Sequence, residues 1–260
     1  MNFHLPFLPE RPKKPRNYGL TMMMDKGLSV NETLSFIETS AEFTDLVKFG
    51  FGTALISSRL KEKVQLYKSA GLIPYFGGTL FELFIVRGLF DEYKKFVSEA
   101  GLEYLEISDG SIRLDHNEKL EYISRLSQDF IVISEVGYKV KGIELSSEEW
   151  VNNMQAELDS GAWKVIAEAR ESGTIGIYNA DGSANKTLIT GITNNLPDEK
   201  VIWEAPVKNQ QVYFISLLGA NVNLGNIANN EVVALEALRL GLRGDTLFEA
   251  MPEQFQNRKL

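Results

Sequence analysis

The chain contains no cysteine and only two histidines, His4 and His116. The first absence excludes disulfides, thiolate nucleophiles, cysteine zinc sites and iron–sulfur clusters. The shortage of histidine leaves proton transfer mainly to Asp, Glu, Lys or Tyr, since a lone histidine in an arm or loop is more often a surface residue than a catalytic one. Positive charge is also scarce: 27 Lys and Arg against 35 Asp and Glu give a net charge of −8. Long-range repulsion then argues against nucleic acid and anionic membranes as partners, and any anionic ligand must be gripped by local cations. No apolar run approaches the roughly 18 residues of a spanning helix. The N-terminus lacks the apolar stretch of a secretory signal. These absences together predict a soluble, cytoplasmic protein; a homo-oligomer stays open.

What is present is one sizeable core. At 260 residues with 44% hydrophobic side chains, the common single-domain solution is the (β/α)8 TIM barrel. Residues 1–18 carry Pro6, Pro9, Pro12 and Pro15 and read as an extended N-terminal arm; residues 19–260 read as the barrel. Strands are predicted at Gly19–Lys26, Leu46–Gly52, Leu72–Gly77, Tyr104–Ser108, Ile131–Gly137, Lys164–Ala169, Val201–Ala205 and Asn221–Asn226. Each is followed by a helical pattern. Ser29 is placed to cap the first helix, and Thr79 with Glu82 spells a capping box for a long helix ending near Gly101. Thr246–Phe255 is left for a C-terminal extra helix.

The functional signal is charge at the ends of buried strands. Lys164–Tyr178 reads KVIAEARESGTIGIY, an apolar run that ends in Glu168 and Arg170 where parallel-sheet proteins bind ligands. The same grammar places Glu106 in YLEIS, Glu135 in IVISEVG and Glu204 in VIWEA, with Asp25 closing the first strand. If all pointed inward they would converge, and like charges so close would force protons onto most of them. A hard divalent cation, Mg²⁺ or Mn²⁺, resolves the conflict with oxygen ligands alone. The alternative is a metal-free polar layer in which Lys48, Lys164 and Arg170 pair with the carboxylates.

Phosphate is expected near the loops after strands seven and eight, APVKNQQ and LGNIANNE, because such loops often bind it at a helix N-terminus. Gly50-Phe-Gly52 lacks the third glycine of a dinucleotide fingerprint.

The stretches DKGL (Asp25–Leu28), VKFGFGT (Val47–Thr53), GGTLFE (Gly77–Glu82), EISDG (Glu106–Gly110), SEVG (Ser134–Gly137), EARESGTIGIY (Glu168–Tyr178), WEAP (Trp203–Pro206), QQ (Gln210–Gln211), VNLGNI (Val222–Ile227) and LRGDT (Leu242–Thr246) together resemble the phosphosulfolactate synthase family from about Gly19 to Thr246. The resemblance implies a Mg²⁺-dependent enzyme of the carbon–sulfur lyase class, on the route to coenzyme M. Such an enzyme adds sulfite to phosphoenolpyruvate through a metal-stabilised aci-carboxylate, giving (2R)-2-phospho-3-sulfolactate. On this reading Glu106, Glu135, Glu168 and Glu204 hold the metal. Lys48, Arg170, Gln210, Gln211, Asn223, Gly225 and Asn226 bind substrate. The general acid is Lys139, where the family carries two consecutive lysines after SEVG and this chain has Tyr138 and Lys139. A plant heat-stress-associated branch of the family keeps a non-catalytic barrel open, as does a lyase or aldolase acting on another phosphorylated carboxylate.

Overall fold

Short runs rich in Val, Ile and aromatic residues, too brief for helices, become eight strands that pair in sequence order, each parallel to the next, with the eighth closing on the first. Residues 3–138 and 145–259 are described in this computed structural model. The strands are β1 Thr21–Asp25, β2 Leu46–Phe49, β3 Ile73–Phe76, β4 Tyr104–Ile107, β5 Ile131–Val136, β6 Ala162–Ala167, β7 Val201–Glu204 and β8 Leu224–Ala228. The helices are α1 Val30–Ser40, α2 Leu60–Ser69, α3 Gly78–Ile85, α4 Phe90–Glu99, α5 His116–Leu126, α6 Ser147–Asp159, α7 Lys186–Asn195, α8 Lys208–Leu218, α9 Val232–Arg239 and α10 Glu253–Gln256. This is the (β/α)8 TIM barrel expected. Among the described residues no helix is long and apolar enough to cross a membrane.

Side-chain alternation along each strand divides the apolar residues into two groups. Met22, Leu46, Tyr75, Ile133, Ile166 and Ile202 fill the barrel interior with Leu20. Met23, Val47, Phe49, Phe76, Val132 and Val165 belong to the shell packed beneath the helices. Burial on both faces explains why the strands read as nearly continuous apolar runs.

The arm is bound by cation contacts at the N-terminal end of the barrel. Arg11 pairs with Glu236 at 2.9 Å and donates to the Gly19 carbonyl; Arg16 pairs with Asp45 through two 2.9 Å hydrogen bonds. Lys164 belongs to this end as well, donating to the Asn17 carbonyl at 2.7 Å. Burial, with Lys200 nearby, lowers its pKa to about 8. Lys164 shares a strand face with Glu168 but lies near the opposite end of it, so it does not join the carboxylates.

Local structure departs from the sequence reading at three further points. The long third helix is two helices, α3 and α4, separated by Gly88 at φ 67°. The Thr79–Glu82 capping box does not form: α3 starts at Gly78, and Glu82 instead accepts from the Ser108 hydroxyl at 2.6 Å. The C-terminal helix is the four-residue α10, shorter than Thr246–Phe255.

Candidate active site

Residues of β2, β4, β5 and β7 that point inward just above the apolar layer are Lys48, Glu106, Glu135 and Glu204, all buried. The Lys48 ammonium sits 2.9 Å from Glu106 Oε1, 3.0 Å from Glu135 Oε2 and 3.3 Å from Glu204 Oε1. Burial alone would lower its pKa, but attraction to these three carboxylates outweighs that and holds it well above the ordinary lysine value. Burial, reinforced by the charges of Glu135 and Glu106 against the pull of Lys48, pushes Glu204 up to about 7.

Glu168, just past the end of β6, completes the arrangement. Glu135, Glu168 and Glu204 each offer a carboxylate oxygen, all within 4.8 Å of one another. A buried, all-oxygen set with no sulfur or imidazole suits a hard divalent cation such as Mg²⁺, which also relieves the mutual repulsion. Glu106 stands beside this trio. Its Oε1 accepts the Gly78 N–H at 2.6 Å as well as facing Lys48.

Lys48, Glu135, Glu168 and Glu204 border a cavity of about 520 Å³ at the C-terminal end of the barrel, lined also by Met24, Gly77, Thr79, Arg170, Ser172 and Asn226. Arg170 is exposed at the rim. The Gly77-Gly78-Thr79 turn is a wall of the site that sequence reasoning did not find, although a glycine pair directly after a strand signals it. A Cβ on Gly78 would come within 2.4 Å of Ser108 Oγ and 3.0 Å of Glu106 Oε1, so glycine there lets the start of α3 approach the carboxylate layer.

Several expected substrate residues lie elsewhere. Gln210 is buried and donates to the carbonyls of Gly173 and Gly182, bracing the loop after β6. Gln211 is likewise buried and donates to the Ala205 carbonyl at 3.2 Å. Gly225 stands inside the β8 ladder, where a Cβ would meet Met22 Cε at 2.5 Å. Its role there is to make room for that methionine. Asn223 is at the N-terminal end: its Oδ1 accepts the Leu20 N–H at 3.0 Å, and its Nδ2 donates to Val201 and Glu199 carbonyls. Asp25 faces away from the barrel axis to Lys63 at 2.6 Å and Tyr67 at 2.9 Å. Lys139 lies outside the described residues.

Asn223→Ala separates a brace from a substrate contact. It orphans a buried N–H, so stability should fall by about 1–3 kcal/mol in urea unfolding, with KM for substrate unchanged. A raised KM at unchanged stability would return Asn223 to the substrate site.

Residues 9–245 match the family model described as (2R)-phospho-3-sulfolactate synthase (ComA). The phosphosulfolactate synthase of Methanothermobacter thermautotrophicus is 43% identical over 245 residues, covering 92% of this chain and 95% of that protein. That of Bacillus subtilis is 40% identical, covering 93% and 97%. A solved 3-hexulose-6-phosphate synthase aligns with a TM-score of 0.53 at 16% identity, over 85% of this chain and 97% of its own, which shows the fold alone. With the family match spanning most of the barrel and the relatives matched along nearly their whole length, the chain belongs to the phosphosulfolactate synthase family.

Proposed function

We propose that this protein joins sulfite to C3 of phosphoenolpyruvate to give (2R)-2-phospho-3-sulfolactate, with Mg²⁺ as cofactor. The observation that carries the metal reading is the buried Glu135–Glu168–Glu204 cluster bordering the cavity. These three residues would hold the ion, which when bound supplies a Lewis acid for the substrate carboxylate, where negative charge collects during attack.

The remaining chemistry falls to the chain itself. The sulfur lone pair of sulfite forms the new bond to C3, the C2–C3 π electrons move toward the carboxylate, and C2 takes a proton. Both reactants are anions entering an acidic protein, so repulsion is the main obstacle. Arg170 at the cavity rim is suited to receive phosphate or sulfite oxygens. Lys48 is poorly suited to hold them, because its ammonium is already shared among three carboxylates. Its role here is to keep those carboxylates close without unfolding the barrel. Lys139 is proposed as the acid that protonates C2.

The test is phosphorus NMR on purified protein with Mg²⁺, sulfite and phosphoenolpyruvate. The enol-phosphate resonance should be replaced by that of an alkyl phosphate only when sulfite is present, and EDTA should stop the conversion until Mg²⁺ is restored. An unchanged resonance in the complete mixture overturns the reaction. Conversion that survives exhaustive chelation overturns the metal assignment.

A further inference from the structure

Beyond the end of β6, the sheet no longer holds the chain through its ladder with β7, whose last paired residues are Ala167 and Trp203. Glu168 keeps backbone bonds, its N–H donating to the Val136 carbonyl and its carbonyl accepting the Ile177 N–H, both at 3.1 Å, and at Ala169 side chains take over. The Ala169 N–H donates to Glu204 Oε2 at 2.8 Å, and the Ala169 carbonyl accepts from Asn226 Nδ2 at 3.0 Å. Ala169 is fully buried and flanked by Glu168, a member of the carboxylate trio, and Arg170, at the cavity rim. Two side chains, from the end of β7 and from β8, thus grip the peptide groups on which both of those residues hang.

Asn226 reaches this position through an irregular backbone. It has φ 58°, a left-handed conformation uncommon for any residue but glycine and best tolerated by Asn or Asp. The pairing of β1 with β8 shifts at the same place: Thr21 faces Leu224, but Met23 faces Ile227, so β8 spends one extra residue there. Such a bulge re-aims a side chain that regular alternation would send elsewhere. Here it coincides with the contact that Asn226 makes to the loop after β6.

We propose that Asn226 is a positioning residue that orients Glu168 and Arg170 by clamping the carbonyl of Ala169. The clamp rests on the reaction proposed above only for its kinetic consequence.

The test compares Asn226→Gly and Asn226→Asp with the wild-type chain. Glycine accepts the left-handed backbone and deletes the side chain. Aspartate keeps the conformation and one oxygen but loses the donor, and serves if the glycine variant fails to fold. Hydrogen exchange of the peptide covering residues 168–173 should accelerate by about tenfold or more in both variants. In the glycine variant, kcat/KM for sulfite addition should fall by about 10–100-fold, because misplacing binding groups by fractions of an ångström is costly.

Wild-type exchange in both variants overturns the clamp. Accelerated exchange with unchanged kcat and KM overturns the positioning role and leaves a purely structural bond. A wild-type protein inert toward sulfite and phosphoenolpyruvate counts against the reaction and not against the clamp, which the exchange data then decide alone.

Discussion

Replacing Lys139 by Met should lower kcat by about 10²–10⁴ while phosphoenolpyruvate still binds, because Met keeps much of the stem volume and removes the acid. The expectation rests on the lysine that follows SEVG in the family and on the poor alternatives among the described residues. The cations lining the cavity there are Lys48 and Arg170. Three carboxylates hold Lys48 protonated well above its ordinary range, and a guanidinium scarcely gives up a proton at all. Arginine at position 139 should therefore not rescue. Near-normal kcat in Lys139→Met would take the acid role away from Lys139. Weakened binding at unchanged kcat would make Lys139 an anchor.

Lys48→Met should lower stability by about 3–5 kcal/mol, since it leaves several buried carboxylates without their shared countercharge. The loss must depend on pH, and its sign follows from Glu204. A carboxyl whose folded pKa is raised from 4.5 to about 7 contributes stability that is fully present below the unfolded value and lost as pH rises through the folded one. Metal-free wild-type protein should therefore weaken between about pH 5 and pH 8. Removing Lys48 takes away the group that holds Glu204 down, so the variant should be closest to wild type near pH 5 and furthest from it near pH 8. Urea unfolding at both pH values measures this. Added Mg²⁺ should narrow the gap at high pH if the carboxylate trio binds it. A variant as stable as wild type at pH 8 would show that the ion pairs contribute nothing net.

The departures at the site have two origins, strand geometry and the ambiguity of amide chemistry. The sequence pattern sets Asn223 well inside a final strand over Asn221–Asn226, but β8 spans Leu224–Ala228. A displacement of a few residues along a strand, at about 3.3 Å each, is enough to move a side chain from the ligand end of a barrel toward its floor. The same shift displaces Gly225. Gln210 and Gln211 point to phosphate by their amide chemistry and their place after strand seven. Amides bind backbone carbonyls as readily as phosphate oxygens, and composition does not distinguish the two. Asp25 departs through parity: Met22 and Met24 face the interior and the cavity, which turns Asp25 outward to Lys63 and Tyr67.

By itself the sequence determined the eightfold alternation, because strands buried on both faces must be largely apolar and a charge within or at the end of one stands out. It therefore also marked Glu106, Glu135, Glu168 and Glu204 as exceptions in need of partners. Only the tertiary structure decided who those partners are. Closure of the barrel carries Lys48 from β2 across to Glu135 on β5 and Glu204 on β7, and a bulge in β8 turns Asn226 onto Ala169. Both depend on register and closure between segments far apart in the chain, which no local pattern of residues encodes.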